Sequence, residues 1–195
     1  MNLFQRDFQF TKQFFDKVEA DKIFVHLKKL PFQEEKITLF GKVHTVPRKV
    51  LWVADPGVEY KYSGKNHAPT PWNKILTDLR DKVQETAKTQ FNGLLLNYYA
   101  DGCDYMGWHS DNEKELGSKP IICSLSFGAE RRFLIRSKKD RSKEELLLTH
   151  GSLLTMRGNS QHDFQHCLPK MRKVYTERIN LTFRKIISLQ ALTKN

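Results

Sequence analysis

Cysteine is too scarce in this chain to staple it. Cys103, Cys123 and Cys167 are three among 195 residues, an odd number with no Cys-x-x-Cys pair, so neither a disulfide framework nor a zinc ribbon is expected and a reducing compartment fits best. Long apolar runs are missing too. Nowhere do eighteen apolar residues follow one another, and the opening Met1-Asn-Leu-Phe-Gln-Arg-Asp-Phe8 returns at once to charge, which argues against a transmembrane helix or a secretory signal. Repeats, low-complexity tracts and Pro/Ser linkers are absent, so one domain over residues 1–195 is expected. Acidic residues are in deficit, 22 against 33 Lys and Arg, for a net charge of +11. A small basic domain commonly meets polyanions, where neutralising phosphate supplies much of the affinity. The 39% hydrophobic content suffices for a packed core and excludes a disordered chain.

What is present divides into two kinds of pattern. From Asp16 to Leu30 the apolar positions Ile23, Leu27 and Leu30 have helical spacing, and Pro31 stops the run. A second helix is predicted from Pro71, capped by Thr70, with Trp72, Ile75, Leu76, Leu79 and Val83 on one stripe that packs beneath a sheet. Beyond Phe91 the pattern changes to short runs at 92–99, 105–109, 121–127, 131–136, 146–149, 152–156, 164–168 and 177–185, broken by Gly, Asn, Asp and Pro. Many short strands without intervening helices predict an antiparallel sandwich or jelly roll, mainly β with flanking helices. The charged segment Lys138-Lys139-Asp140-Arg141 with Lys143 reads as a solvated hairpin tip.

Chemistry is concentrated in two elements. His109-Ser-Asp111 places an imidazole and a carboxylate on one side of a strand end. With a second imidazole they form the protein's share of a facial triad that grips Fe(II) and leaves the opposite positions open. Seven histidines are available, and His150, His162 and His166 compete for the third place. In the second element, Arg178-x-Asn180-x-Thr182-x-Arg184, alternation puts two guanidiniums, an amide and a hydroxyl on one face, with Ile179, Leu181 and Phe183 on the other. Such a row suits a dicarboxylate, because the planar guanidinium meets a carboxylate in two hydrogen bonds and stays charged when buried.

These elements, together with Asn97-Tyr-Tyr99-Ala-Asp-Gly102, Ser124-Leu-Ser126-Phe127-Gly128-Ala129 and His166-Cys-Leu-Pro-Lys170, resemble the AlkB family of Fe(II)- and 2-oxoglutarate-dependent dioxygenases. The resemblance runs from about Ile37 to Ile186 and is nearest to the homologues that act on double-stranded DNA. It implies a double-stranded β-helix over 91–186, preceded over 1–90 by helices and a nucleotide-recognition segment. By the family's His-x-x-Pro pattern it selects His166, with His109 and Asp111, as metal ligands. It implies Fe(II), 2-oxoglutarate and O₂ as cofactor and co-substrates, with Asn97, Tyr99, Arg178, Asn180 and Arg184 binding 2-oxoglutarate and Thr182 assisting.

The implied activity is oxidative demethylation of 1-methyladenine and 3-methylcytosine in DNA. A methyl on the Watson-Crick edge lies inside a duplex, so the base must be flipped out. Tyr60, Tyr62 and Ser63 fall in the family's base-pocket segment, and Glu113 matches a family position, whereas Asn112 stands where relatives often carry an acid. Leu39-Phe40-Gly41 resembles the apolar finger of the double-strand-type relatives, a wedge filling the vacated space; an ordinary β-hairpin with a core Phe is the other reading. Arg48 and Lys49 would then meet phosphate or the opened pair. Expected partners are duplex and single-stranded DNA, with RNA as a further substrate, no membrane, and a monomeric protein. The chain resembles a bare catalytic core of bacterial kind, which places it in the cytoplasm; a eukaryotic source would place it in the nucleus. Two alternatives stay open: an RNA demethylase or other 2-oxoglutarate oxygenase, and a non-catalytic nucleic-acid-binding module with a structural or vacant metal site.

Overall fold

The computed structural model describes residues 6–39, 41–58, 61–62, 65–66 and 69–187, with the backbone alone at 37–39, 42, 61–62 and 65–66. The strands in chain order are β1 (Phe8–Thr11), β2 (Gln33–Leu39), β3 (Lys42–Ala54), the short pair β4 (Lys61–Tyr62) and β5 (Lys65–Asn66), β6 (Gly93–Tyr99), β7 (Met106–His109), β8 (Ile122–Gly128), β9 (Arg131–Ser137), β10 (Lys143–Leu148), β11 (Ser152–Met156), β12 (Phe164–Leu168) and β13 (Arg178–Arg184). Helices α1 (Lys17–Leu27), α2 (Lys74–Ala87) and the one-turn α3 (Ser160–Asp163) complete the described elements, with a 3₁₀ turn at Lys114–Leu116.

From β6 onward the chain passes back and forth between two antiparallel sheets, except at the β9–β10 hairpin, which stays within the smaller one. The larger has the order β1-β11-β8-β13-β6-β3-β2 and the smaller β10-β9-β12-β7. This is the expected double-stranded β-helix, and period-two patterning determines what each face of the large sheet meets. On β13, Ile179, Leu181 and Phe183 join Leu94 and Leu96 of β6, Cys123, Leu125 and Phe127 of β8, and Leu76, Leu79 and Val83 of α2 in one apolar layer. The other face looks towards the small sheet. There Val50, Trp52, Leu95, Ile122, Leu154 and Met156 pack with Phe133, Ile135, Leu148 and Leu168, except where the polar row of β13 interrupts.

The helices form for local reasons. Helix α1 opens with a capping box, in which the Asp16 side chain accepts from the Glu19 backbone N–H at 2.8 Å and Glu19 reaches back to the Asp16 N–H. It ends at Leu27, before the expected Leu30, in a turn closed by the Leu30 N–H to the Leu27 carbonyl. Helix α2 begins later than predicted. Thr70 does not cap it, since its backbone is engaged in a bridge to Val53, donating to the Trp52 carbonyl and accepting from Ala54. Pro71 and Trp72 precede the helix, and Asn73 takes the cap, its Oδ1 accepting from the Leu76 N–H at 3.0 Å. Asn73→Ala is therefore expected to lower stability by about 1 kcal/mol in denaturant titration, with Thr70→Ala lacking this capping loss.

Among the described residues the N-terminal region holds more strand than the sequence suggested. The β2–β3 hairpin passes Pro47 because the ladder is irregular there, slipping between the pairs Glu34–Lys49 and Lys36–Thr45. A strand tolerates proline at such a bulge. Lys138–Arg141 forms the expected hairpin tip between β9 and β10.

Candidate active site

The ladder between β12 and β7 sets His166 directly opposite His109, with ring centroids 4.3 Å apart. Asp111 lies two residues past the end of β7 and turns back to them, so that one donor atom from each of the three side chains lies within 4.8 Å of the others. The His109 Nδ1 is held by the Gly107 carbonyl at 2.8 Å, which leaves Nε2 as the free ligating nitrogen. Burial pushes the His166 imidazole down to about 3. Burial alone would raise Asp111, but Arg184, His166 and His109 outweigh it and hold the carboxyl below its ordinary range. His166 and Asp111 are thus in the deprotonated forms that metals require. The His166 Nδ1 is buried without a hydrogen-bond partner. Two imidazoles and one carboxylate on one wall of an open cavity fit a metal ion bound on a single face.

The rival histidines are elsewhere. His162 has a side chain 85% exposed and bonded to its neighbour Asp163, while His150 accepts from the Gly128 N–H and faces Asp21. His162→Ala is expected to leave metal affinity unchanged in direct titration. His166 also confers a pH dependence on the metal-free protein. Between its ordinary value of 6.5 and about 3 the unfolded chain takes up a proton that the folded one refuses, so stability falls as the pH drops through that window. Thermal melts from pH 7 to 4 should show this slope, reduced in His166→Gln.

The polar row of β13 forms the opposite wall of a cavity of about 200 Å³, with Asn97, Tyr99, Arg178, Asn180, Thr182 and Arg184 in its lining beside the triad. Arg184 donates to the Asp111 Oδ2 at 3.0 Å, next to the metal ligands. Arg178 is buried, donates to the Ser126 hydroxyl at 2.9 Å and lies over the Tyr99 ring. Its Nε has no partner, and no carboxylate among the described residues pairs with it. Burial lowers Arg178 to about 10, still charged at neutral pH. A buried cation without a counter-ion is costly, and an entering carboxylate would satisfy it.

Four supporting residues were not foreseen. Ser126 anchors Arg178, and Ser124 accepts from the Asn180 amide at 2.7 Å. Both alternate with the apolar Cys123, Leu125 and Phe127, a signal present in the sequence. Arg131 donates to the carbonyls of Asp101, Asp104 and Pro169, joining the loops after β6 and β12. Gln161 accepts from the Asp111 N–H. No local pattern reveals the last two contacts.

The expected substrate contacts are only partly visible. Glu113 lines the cavity. Arg48 is buried rather than presented to solvent, and donates to the Asn97 Oδ1 at 2.7 Å; the alternation of Val46, Arg48, Val50, Trp52 and Ala54 carries it inward, while Lys49 is exposed. Phe40, Tyr60 and Ser63 lie outside the described residues, as does the side chain of Tyr62.

The family model for the 2OG-Fe(II) oxygenase superfamily matches residues 7–184. The chain belongs to that superfamily. Its cofactor is therefore Fe(II), with 2-oxoglutarate and O₂ as co-substrates, and the expected AlkB resemblance holds among curated relatives. This oxygenase is 42% identical to the DNA oxidative demethylase ALKBH2 of Mus musculus over 185 residues, 89% of this chain and 77% of that protein. It is 36% identical to the ALKBH2 of Arabidopsis thaliana, covering 92% of this chain and 63% of that one. It is 37% identical to the alpha-ketoglutarate-dependent dioxygenase alkB homolog 3 of Mus musculus, covering 89% and 64%. The solved structure of OsALKBH1 shares the fold, with a TM-score of 0.64 at 18% identity, covering 92% of this chain and 98% of that chain.

Proposed function

We propose that this oxygenase repairs DNA by oxidative demethylation of 1-methyladenine and 3-methylcytosine. The observation that carries the reaction class is a single cavity joining three candidate metal-ligating atoms to a buried guanidinium with no carboxylate partner among the described residues. The substrate class is supported by the likeness to proteins named DNA oxidative demethylase and by the net charge of +11.

His109, Asp111 and His166 would hold Fe(II). Arg178 with Tyr99 would take the far carboxylate of 2-oxoglutarate, and Arg184, bonded to Asp111, would serve the end nearer the metal. Bound Fe(II) with 2-oxoglutarate supplies the oxidation, in which O₂ gives one oxygen to succinate as CO₂ leaves and the other to the methyl carbon, which departs as formaldehyde. The protein orients and shields. Leu95, Phe133, Leu148, Met156 and Leu168 line the cavity with apolar surface and exclude water. Glu113 lines the same cavity and is placed to meet the flipped base; Tyr60, Tyr62 and Ser63 are proposed as its other contacts on the family resemblance alone. The reaction needs no general base from the protein. Phe40 is the wedge that allows duplex substrates, and the protein acts as a monomer on duplex and single strands.

Mass spectrometry of matched single- and double-stranded oligonucleotides carrying either lesion, incubated with Fe(II), ascorbate and O₂, tests the proposal. Loss of one methyl only in the presence of 2-oxoglutarate supports it. Consumption of 2-oxoglutarate with no methyl lost from DNA but loss from a methylated RNA would move the substrate to RNA, and no consumption at all would point to a binding module. Phe40→Ala should weaken action on duplex more than on single strands, and equal losses would remove the wedge.

A further inference from the structure

The ligands are not held equally by the fold. His166 and His109 face each other across a β ladder, whereas Asp111 lies beyond its last pair, in a segment without regular secondary structure. Its carboxylate is gripped by Arg184. Its backbone depends on the segment that leads into β12. There the Gln161 Oε1 accepts from the Asp111 N–H at 2.9 Å, and one residue earlier the Ser110 hydroxyl donates to the Phe164 carbonyl at 2.7 Å. The orientation of the Gln161 amide is dictated by its partner, because a backbone N–H can only donate and must meet the carbonyl oxygen. Its NH₂ turns to the Ser160 hydroxyl at 3.2 Å and the Met156 sulfur at 3.5 Å. Gln161 is 3% exposed. Its own carbonyl accepts from Lys138 Nζ at 2.9 Å, and the Lys138 N–H donates to the Asp163 carbonyl, so α3 is itself fastened to the β9–β10 hairpin.

We infer that Gln161 is a positioning residue for the iron site, holding the backbone of Asp111 so that its carboxylate stays within reach of both histidines. Without the acceptor, a buried N–H is left unsatisfied and the 110–113 segment loses a tether to the 160–164 segment. Outer partners of metal ligands commonly govern affinity by about 10–100-fold. The inference rests on the superfamily's metal site and is independent of the nucleic-acid substrate, so it is tested without one.

The test is titration of the metal-free full chain with Mn(II), which occupies Fe(II) sites without reacting with O₂, followed by electron paramagnetic resonance. Gln161→Met, close in volume but lacking the acceptor, should raise the Mn(II) dissociation constant about 10–100-fold. Gln161→Glu, which keeps an acceptor oxygen at the same reach, should stay within a few-fold of the parent. With 2-oxoglutarate alone, the Met variant should need more Fe(II) for half-maximal turnover yet approach the parent rate at saturation. Unchanged Mn(II) affinity in the Met variant overturns the inference. Equal losses in both variants, in step with the metal-free melting temperature, also overturn it by assigning Gln161 to packing alone. If the Met variant does not fold, Gln161→Asn, whose acceptor is one methylene short, replaces it with the same expected and overturning results.

Discussion

Asp111→Ala is expected to abolish methyl removal while sparing most of the affinity for DNA. The substitution removes the only carboxylate among the three grouped ligands, and two imidazoles alone hold iron poorly at an open site. Affinity for the phosphate backbone depends on cations outside the cavity and survives. A second loss should accompany the first. Asp111 and Arg184 form an ion pair at 3.0 Å whose side chains are 7% and 4% exposed, and removing one partner leaves a buried charge uncompensated. Breaking such a pair costs about 3–5 kcal/mol, so the metal-free variant should melt well below the parent. Turnover assays, salt-dependent DNA binding and thermal denaturation read the three effects separately. Retained activity would mean that the ligand assignment is wrong.

Substitution of Arg178 should act in the opposite sense on stability. In Arg178→Leu the metal-free protein loses a buried guanidinium that has no carboxylate partner among the described residues, along with one hydrogen bond to Ser126. Its melting temperature should match or exceed that of the parent. Binding of 2-oxoglutarate should suffer heavily, because the far carboxylate then enters a buried site without its cationic partner. Removing one member of a buried charge pair costs roughly 2–5 kcal/mol, which raises the KM for 2-oxoglutarate by roughly 30-fold to several thousandfold. Steady-state kinetics against 2-oxoglutarate at saturating Fe(II) gives the number. A variant that melts low yet keeps a parental KM would show that Arg178 serves the fold instead.

The parts of this site that sequence reveals are those with their own period. The row Arg178, Asn180, Thr182 and Arg184 is visible because a strand buried on both faces has no ordinary reason to carry polar residues at every second place. His109 and Asp111 are visible because two residues separate them. The third ligand is harder, since His162 and His166 differ little as letters; the β7–β12 ladder separates them, carrying His166 inward and leaving His162 at the surface. Arg48 misleads in the other direction. A cation after proline resembles a surface contact, yet period two assigns it to the same face as Val46 and Val50. The Asn73 cap was obscured because Thr70 and Pro71 form an equally good start signal, and only the bridge from Thr70 to Val53 removes it. Gln161 and Arg131 lie beyond local reading altogether, since their partners are 50 and about 30 residues away.

Strand β13 is hydrogen-bonded along one side to β6 and along the other to β8. Amides so enclosed exchange with solvent only when the sheet itself opens. Residues 178–184 should therefore be among the last in the chain to take up deuterium, and a co-substrate bound to their side chains is bound to the global folding unit. Its binding energy should appear as a rise in the melting temperature of the whole protein with 2-oxoglutarate concentration, following mass action, instead of as the local tightening of a loop.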